Sequence, residues 1–176
     1  MRKLFFTFLL GSTLLNCQSE SLTSFSEAAL NDEFISLSGE RVSFSTVLEK
    51  HKGKTIFVDV WASWCKDCLK AIPKFKELQN EFPEMAYVHL SLDKSLSAWK
   101  KGIQKHKLKG DHYFMQSGWK GPMGTFLDLD WIPRYMIVDA SGKIVVYKAI
   151  KTKDKNLRKH LKHFIYLPFS AFRWFW

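Results

Sequence analysis

The sequence predicts an α/β fold, a mixed central β-sheet flanked by helices, and three observations carry that reading. The run Thr55–Trp61 is apolar and β-branched, the character of a central strand buried on both faces. A helical pattern follows it directly, and strand and helix patterns then alternate along the chain. Late in the sequence, Arg134–Val138 and Lys143–Lys148 flank Asp139-Ala140-Ser141-Gly142, a hairpin turn. Alternation implies parallel crossovers, and the hairpin adds an antiparallel part, so the sheet is mixed.

Each element follows from a local pattern. Phe34–Leu37 and Arg41–Phe44 read as short strands around a turn at Ser38-Gly39-Glu40, and Ser45–His51 as a short helix. After Thr55–Trp61, the segment from Cys65 to about Phe82 places Leu69, Ile72, Phe75, Leu78 and Phe82 at steps of three and four, one helix face. Pro73 sits inside that helix and predicts a kink. Ala86–Leu92 is a further strand, and Ser95–Lys107 a helix with Leu96, Trp99 and Ile103 on one side. The segment Asp111–Leu129, punctuated by Gly118, Gly121, Pro122 and Gly124, reads as mostly loop. Asp154 is placed to cap a last helix carrying Leu157, Leu161 and Phe164.

The ends of the chain carry different signals. Arg2-Lys3 followed by an apolar stretch from Leu4 to Leu15 reads as a secretion signal, too short for the roughly 20 residues of a membrane span. Leu14-Leu15-Asn16-Cys17 resembles a bacterial lipobox, with Asn16 where a small residue is usual, so residues 1–16 are expected to leave and Cys17 to take the lipid, an uncleaved anchor or a discarded signal-peptide cysteine being the alternatives. Residues 17–32 are polar and Ser-rich and read as a tether. Tyr166–Trp176 form an aromatic tail suited to a membrane interface or to the domain's own surface.

With 46% hydrophobic and 15% aromatic residues, the 176-residue chain has the material for one packed core, which excludes global disorder. Its net charge of +10 is spread along the chain with no arginine-rich block or stacking motif, so solvated helix faces account for it and nucleic acid is not an expected partner. The six histidines show no metal-ligand spacing, and Met115, Met123 and Met136 read as core or loop fillers, so no metal or other cofactor is called for.

The three cysteines locate the chemistry. Cys17 belongs to the leader, which leaves the single Cys-x-x-Cys pair Cys65 and Cys68; a structural disulfide framework needs more cysteines at wider spacing. The pair lies where a strand ends and a helix begins. Free backbone N–H groups and the helix dipole there favour thiolate, the nucleophilic form, at Cys65 by about 0.3–1 kcal/mol. Cys68, one turn on, faces the same way and is placed to attack a mixed disulfide formed on Cys65. Between them Lys66 favours the thiolate and Asp67 opposes it.

The stretch Val58-Asp59-Val60-Trp61-Ala62-Ser63-Trp64-Cys65-Lys66-Asp67-Cys68 resembles the thioredoxin active-site signature, with Val60 in place of Phe and Lys66-Asp67 in place of Gly-Pro. Pro73 matches that family's helix proline, and Trp131-Ile132-Pro133-Arg134 resembles its cis-proline loop. With the leader and the long insert from 94 to 130, the resemblance is to the TlpA/ResA-like membrane-tethered branch, over residues 33–165, and it implies a thioredoxin-like fold. By this match Asp59 is the buried carboxylate that takes the Cys68 proton during exchange, and Pro133 is cis, turning the Ile132 backbone toward Cys65 to receive a substrate strand. Trp61 and Trp64 flank the cysteines as an apolar rim for substrate, Trp61 being equally at home in the core. His89 stands where the family often has a lysine near the aspartate, and a satisfied core histidine is the competing reading. The resemblance implies a thiol–disulfide oxidoreductase facing the periplasm. Its expected role is to reduce disulfides of exported proteins, apocytochrome c among them, with a membrane thiol donor restoring the dithiol. An oxidase or isomerase, and a metal-binding or adaptor module, are the alternatives.

Overall fold

A computed structural model describes residues 22–165, so the expected leader, Cys17 and the aromatic tail lie outside the described residues. In chain order the elements are α1 (Glu27–Leu30), β1 (Glu33–Ser36), β2 (Arg41–Ser43), α2 (Phe44–Lys50), β3 (Ile56–Trp61), α3 (Lys66–Glu81), β4 (Ala86–Ser91), α4 (Leu96–His106), β5 (Asp111–Phe114), α5 (Pro122–Phe126), β6 (Arg134–Val138), β7 (Ile144–Ala149) and α6 (Lys155–Ile165).

The strands form one sheet in the order β2-β1-β5-β4-β3-β6-β7. β3 pairs in parallel with β4, and β4 with β5. β6 and β7 add antiparallel to one side of this centre, and the β1–β2 hairpin adds antiparallel to the other. The mixed sheet read from the sequence is therefore the observed one. Strand alternation divides the core into two layers. Phe57, Tyr87, Tyr135, Ile137 and Val146 pack with Phe75, Leu78 and Phe82 around α3 and with Leu157 and Leu161 of α6. Val58, Val60, Val88, Leu90, Met136 and Val138 belong to the other cluster, with Phe34, Phe44, Trp99, Met123 and Leu127. Asp154 caps α6 by accepting from the N–H groups of Asn156 and Leu157, as its position suggested.

Two expectations need correction. The tether assigned to 17–32 contains, from residue 22 on, part of the folded body. Ile144 N–H donates to Thr23 O, Phe25 packs on Phe44 and Phe126, and Ser26 caps the one-turn α1, whose Ala29 is fully buried. The two apolar residues among them, Phe25 and Ala29, lie in a polar, Ser-rich stretch, so no period marks an element there. The loop assigned to 111–129 contains β5, too short for its period to register, and α5, which Pro122 starts at the first helical turn. Gly124 in α5 is required by contact: a Cβ there would lie 2.2 Å from the Trp119 carbonyl oxygen.

Candidate active site

β3 delivers the chain to the site, and the turn Ala62–Trp64 hands it to α3. Cys65 is the N-cap of α3: its Sγ accepts the Cys68 N–H at 3.2 Å, the role a serine or aspartate oxygen takes at other helix starts. The Cys68 thiol donates to Cys65 Sγ across 2.6 Å, so the sulfurs can bond without moving the backbone. Cys65 Sγ also lies 3.5 Å from the Ile132 carbonyl oxygen, which accepts from its thiol form. Burial, and then the hydrogen bond to Cys65, push the Cys68 thiol far above the ordinary cysteine range. Cys68 therefore stays protonated until something takes its proton.

Asp59 is the nearby carboxylate. It is 7% exposed and lines, with Cys68, Ile72, Pro133 and Tyr135, a cavity of about 10 Å³, at the lower bound for one water molecule. One register row across β6, β3, β4 and β5 sets Tyr135, Asp59, His89 and His112 side by side. His89 is fully buried; its Nδ1 lies 2.9 Å from Asp59 Oδ2 and its Nε2 lies 3.0 Å from the Lys109 carbonyl oxygen. A carbonyl only accepts, so Nε2 carries a hydrogen. The His112 ring stacks on His89 at 4.6 Å. Burial, and then the charge of His89, push His112 down to about 4, so it is neutral at physiological pH. His89 is thus both a satisfied core histidine and the partner of Asp59.

The rim differs from expectation at one tryptophan. Trp61 is 2% exposed and lines the inner cavity, so it packs in the core and offers no face to substrate. Trp64 is 48% exposed beside Cys65. The Ile132–Pro133 bond is cis, and both residues are buried, so Ile132 meets the site through its backbone. Three residues not singled out by sequence complete the site. Trp131, 57% exposed, and Trp119 line with Trp64 a groove of about 570 Å³ that reaches Cys65. Asp93 accepts from the Ser63 N–H, the Ser63 hydroxyl and the Ser91 hydroxyl, fixing the turn that leads into Cys65. Trp131 had a signal, its place next to Ile132-Pro133; Asp93 and Trp119 had none. Among the described residues no group of three or more His, Cys, Asp or Glu is placed to hold a metal ion.

A mixed sheet with a dithiol capping the helix after its central strand defines a class, the thioredoxin-fold thiol–disulfide oxidoreductases. The chain belongs to the thioredoxin-like family, whose sequence model matches residues 53–144. Among curated proteins it is similar to the thiol–disulfide oxidoreductase ResA of Bacillus thuringiensis, 29% identical over 119 residues, an alignment spanning 65% of this chain and 66% of ResA. Among solved structures it is similar to the thioredoxin domain of a thiol–disulfide oxidoreductase from Bacteroides vulgatus, with 27% identity, TM-score 0.64, and coverage of 82% of this chain and 99% of that one. A thiol:disulfide interchange protein from a Bacteroides species aligns at 25% identity and TM-score 0.64, over 87% of this chain and 95% of that one.

Proposed function

We propose that the protein reduces disulfides of exported proteins through Cys65 and Cys68. The observation that carries this reading is the dithiol at the start of α3, one sulfur capping the helix and the other a buried thiol 2.6 Å away. The Cys65 thiolate attacks a substrate disulfide, forming a mixed disulfide and releasing one substrate thiolate, which takes a proton from solvent. The Cys68 thiol gives its proton to Asp59, and its sulfur attacks Cys65 Sγ. The second substrate thiolate leaves. The substrate has gained two electrons, and the protein holds a Cys65–Cys68 disulfide that a donor dithiol must reduce.

The setting proposed is the cell envelope, with Cys17 lipidated and a membrane thiol donor as partner; the leader and the resemblance of the sequence to the membrane-tethered TlpA/ResA-like branch support it. Apocytochrome c awaiting haem is the substrate that the family resemblance supplies. The test is insulin reduction with dithiothreitol, for which the wild type should accelerate precipitation and Cys65→Ser should not. Activity undiminished in Cys65→Ser would end the proposal. Equilibration with a glutathione series should give a potential nearer thioredoxin's roughly −270 mV than DsbA's roughly −120 mV. A value near the latter would make the protein an oxidant.

A further inference from the structure

The groove at Cys65 continues past Trp131. A second depression of about 420 Å³, floored by Ala71 and Ile150, shares Asp67, Lys70 and Trp131 with the first, so one trough runs from Trp64 along α3 toward the loop after β7. Its apolar surface comes from Trp64, Trp131 and Ile150, each about half exposed. Its charge is one-sided. Lys66, Lys70 and Lys74 lie four residues apart on α3, hence on one stripe, and Lys151 and Lys153 face them from the loop. The two carboxylates in the trough are already engaged: Asp67 pairs with Lys70 at 3.6 Å, and Asp130 pairs with Arg134. Among the described residues Lys66, Lys74, Lys151 and Lys153 have no ion-pair partner.

We propose that this trough selects acidic disulfide-bearing segments: an extended stretch with a bulky apolar side chain next to its cysteine and Asp or Glu residues further along. The inference rests on the oxidoreductase reading and specifies its substrate. Apolar burial against the tryptophans holds the segment beside Cys65, while the unpaired lysines attract carboxylates and repel a basic segment, and repulsion of the wrong partner is half of specificity. A peptide is favoured over an anionic lipid surface because the lysines line a recess that ends at the reactive sulfur.

Three peptides test this, identical but for Glu, Gln or Lys residues flanking one cysteine, each carried as a mixed disulfide with thionitrobenzoate. The reduced protein is mixed with each, and release of the yellow thiolate gives the rate constant. At low salt the order should be Glu, Gln, Lys, with about a tenfold span between the ends. At about 1 M salt, where the screening length falls to about 3 Å, the span should collapse. The Lys74→Glu, Lys153→Glu double variant, checked for folding by circular dichroism, leaves the four unpaired charges balanced and should bring the three rates together even at low salt; a span unchanged from the wild type would overturn the inference. Equal rates at low salt, with hydroxyethyl disulfide still reduced by the wild type, would overturn the inference and leave the oxidoreductase reading standing. Failure to reduce any of these disulfides would overturn the reading beneath it. Binding to phosphatidylglycerol vesicles without discrimination among the peptides would assign the lysines to lipid and overturn it too.

Discussion

Cys68 is the residue at which exchange would stall. Its thiol is held protonated by burial and by its bond to Cys65, so a mixed disulfide on Cys65 persists until a base acts. Asp59 shares a cavity with Cys68 and is held from behind by His89, which the Lys109 carbonyl fixes in turn. General base assistance of this kind contributes about 10²–10⁴-fold. Asp59→Asn, which preserves shape and can still bond to His89, is therefore expected to slow resolution on the order of 100-fold. The first step should not respond: in a Cys68→Ser background, mixed-disulfide formation should run at the same rate with Asp59 or Asn at that position. Stopped-flow measurement of both steps decides the matter. Resolution at the wild-type rate would remove Asp59 from the mechanism.

At the scale of elements, the turn into Cys65 is shaped from below by α4. Gly102 of that helix lies so close that a Cβ would come within 2.5 Å of Ser63 Cβ and 3.3 Å of the Trp61 ring. Ser63 is at the same time tied to Asp93, so it has little room to yield. Helix propensity favours alanine over glycine by about 1 kcal/mol, whereas overpacking costs about 1–3 kcal/mol. We expect the second to win: Gly102→Ala should lower the melting temperature by several degrees, at ~2–4 °C per kcal/mol for a chain of this size, and slow thiol exchange with it. A thermal melt followed by circular dichroism checks it, and a raised melting temperature would mean that the turn is slack. The same contacts explain what sequence made visible. Cys65 and Cys68 sit at one strand–helix junction, where spacing fixes their relation, whereas the roles of Asp59 and Ile132-Pro133 are visible only through the resemblance to the thioredoxin signature. Asp93, Trp119 and Gly102 reach the site only through packing between elements distant in sequence, and no local pattern records that. Trp61 shows the converse: the signature suits it to the rim and the apolar strand to the core, and packing against the sheet and Gly102 of α4 decides for the core.

At the scale of the whole molecule, the segment before β1 joins regions that the sheet alone leaves apart. Thr23 receives the Ile144 N–H at one edge, Phe25 packs on Phe44 of α2 and Phe126 of α5, and Asp32 accepts from the Ser117 hydroxyl at 2.8 Å and the Met123 N–H at 2.9 Å. The stretch held by Asp32 carries Trp119, a wall of the groove at Cys65. A tether would have no such contacts, and the two views differ in one measurement. A chain beginning at residue 33 should unfold at a lower urea concentration than one beginning at residue 22, because it loses the Phe25 contacts and leaves the buried Met123 N–H without its acceptor. Those losses together are on the order of 3–5 kcal/mol, a large share of the 5–15 kcal/mol that holds a domain together. Asp32→Ala in the longer chain should reproduce about 1–3 kcal/mol of it. Coincident unfolding curves for the two lengths would return residues 22–32 to the role of a linker, and would also detach Trp119 from any support by the N-terminal segment.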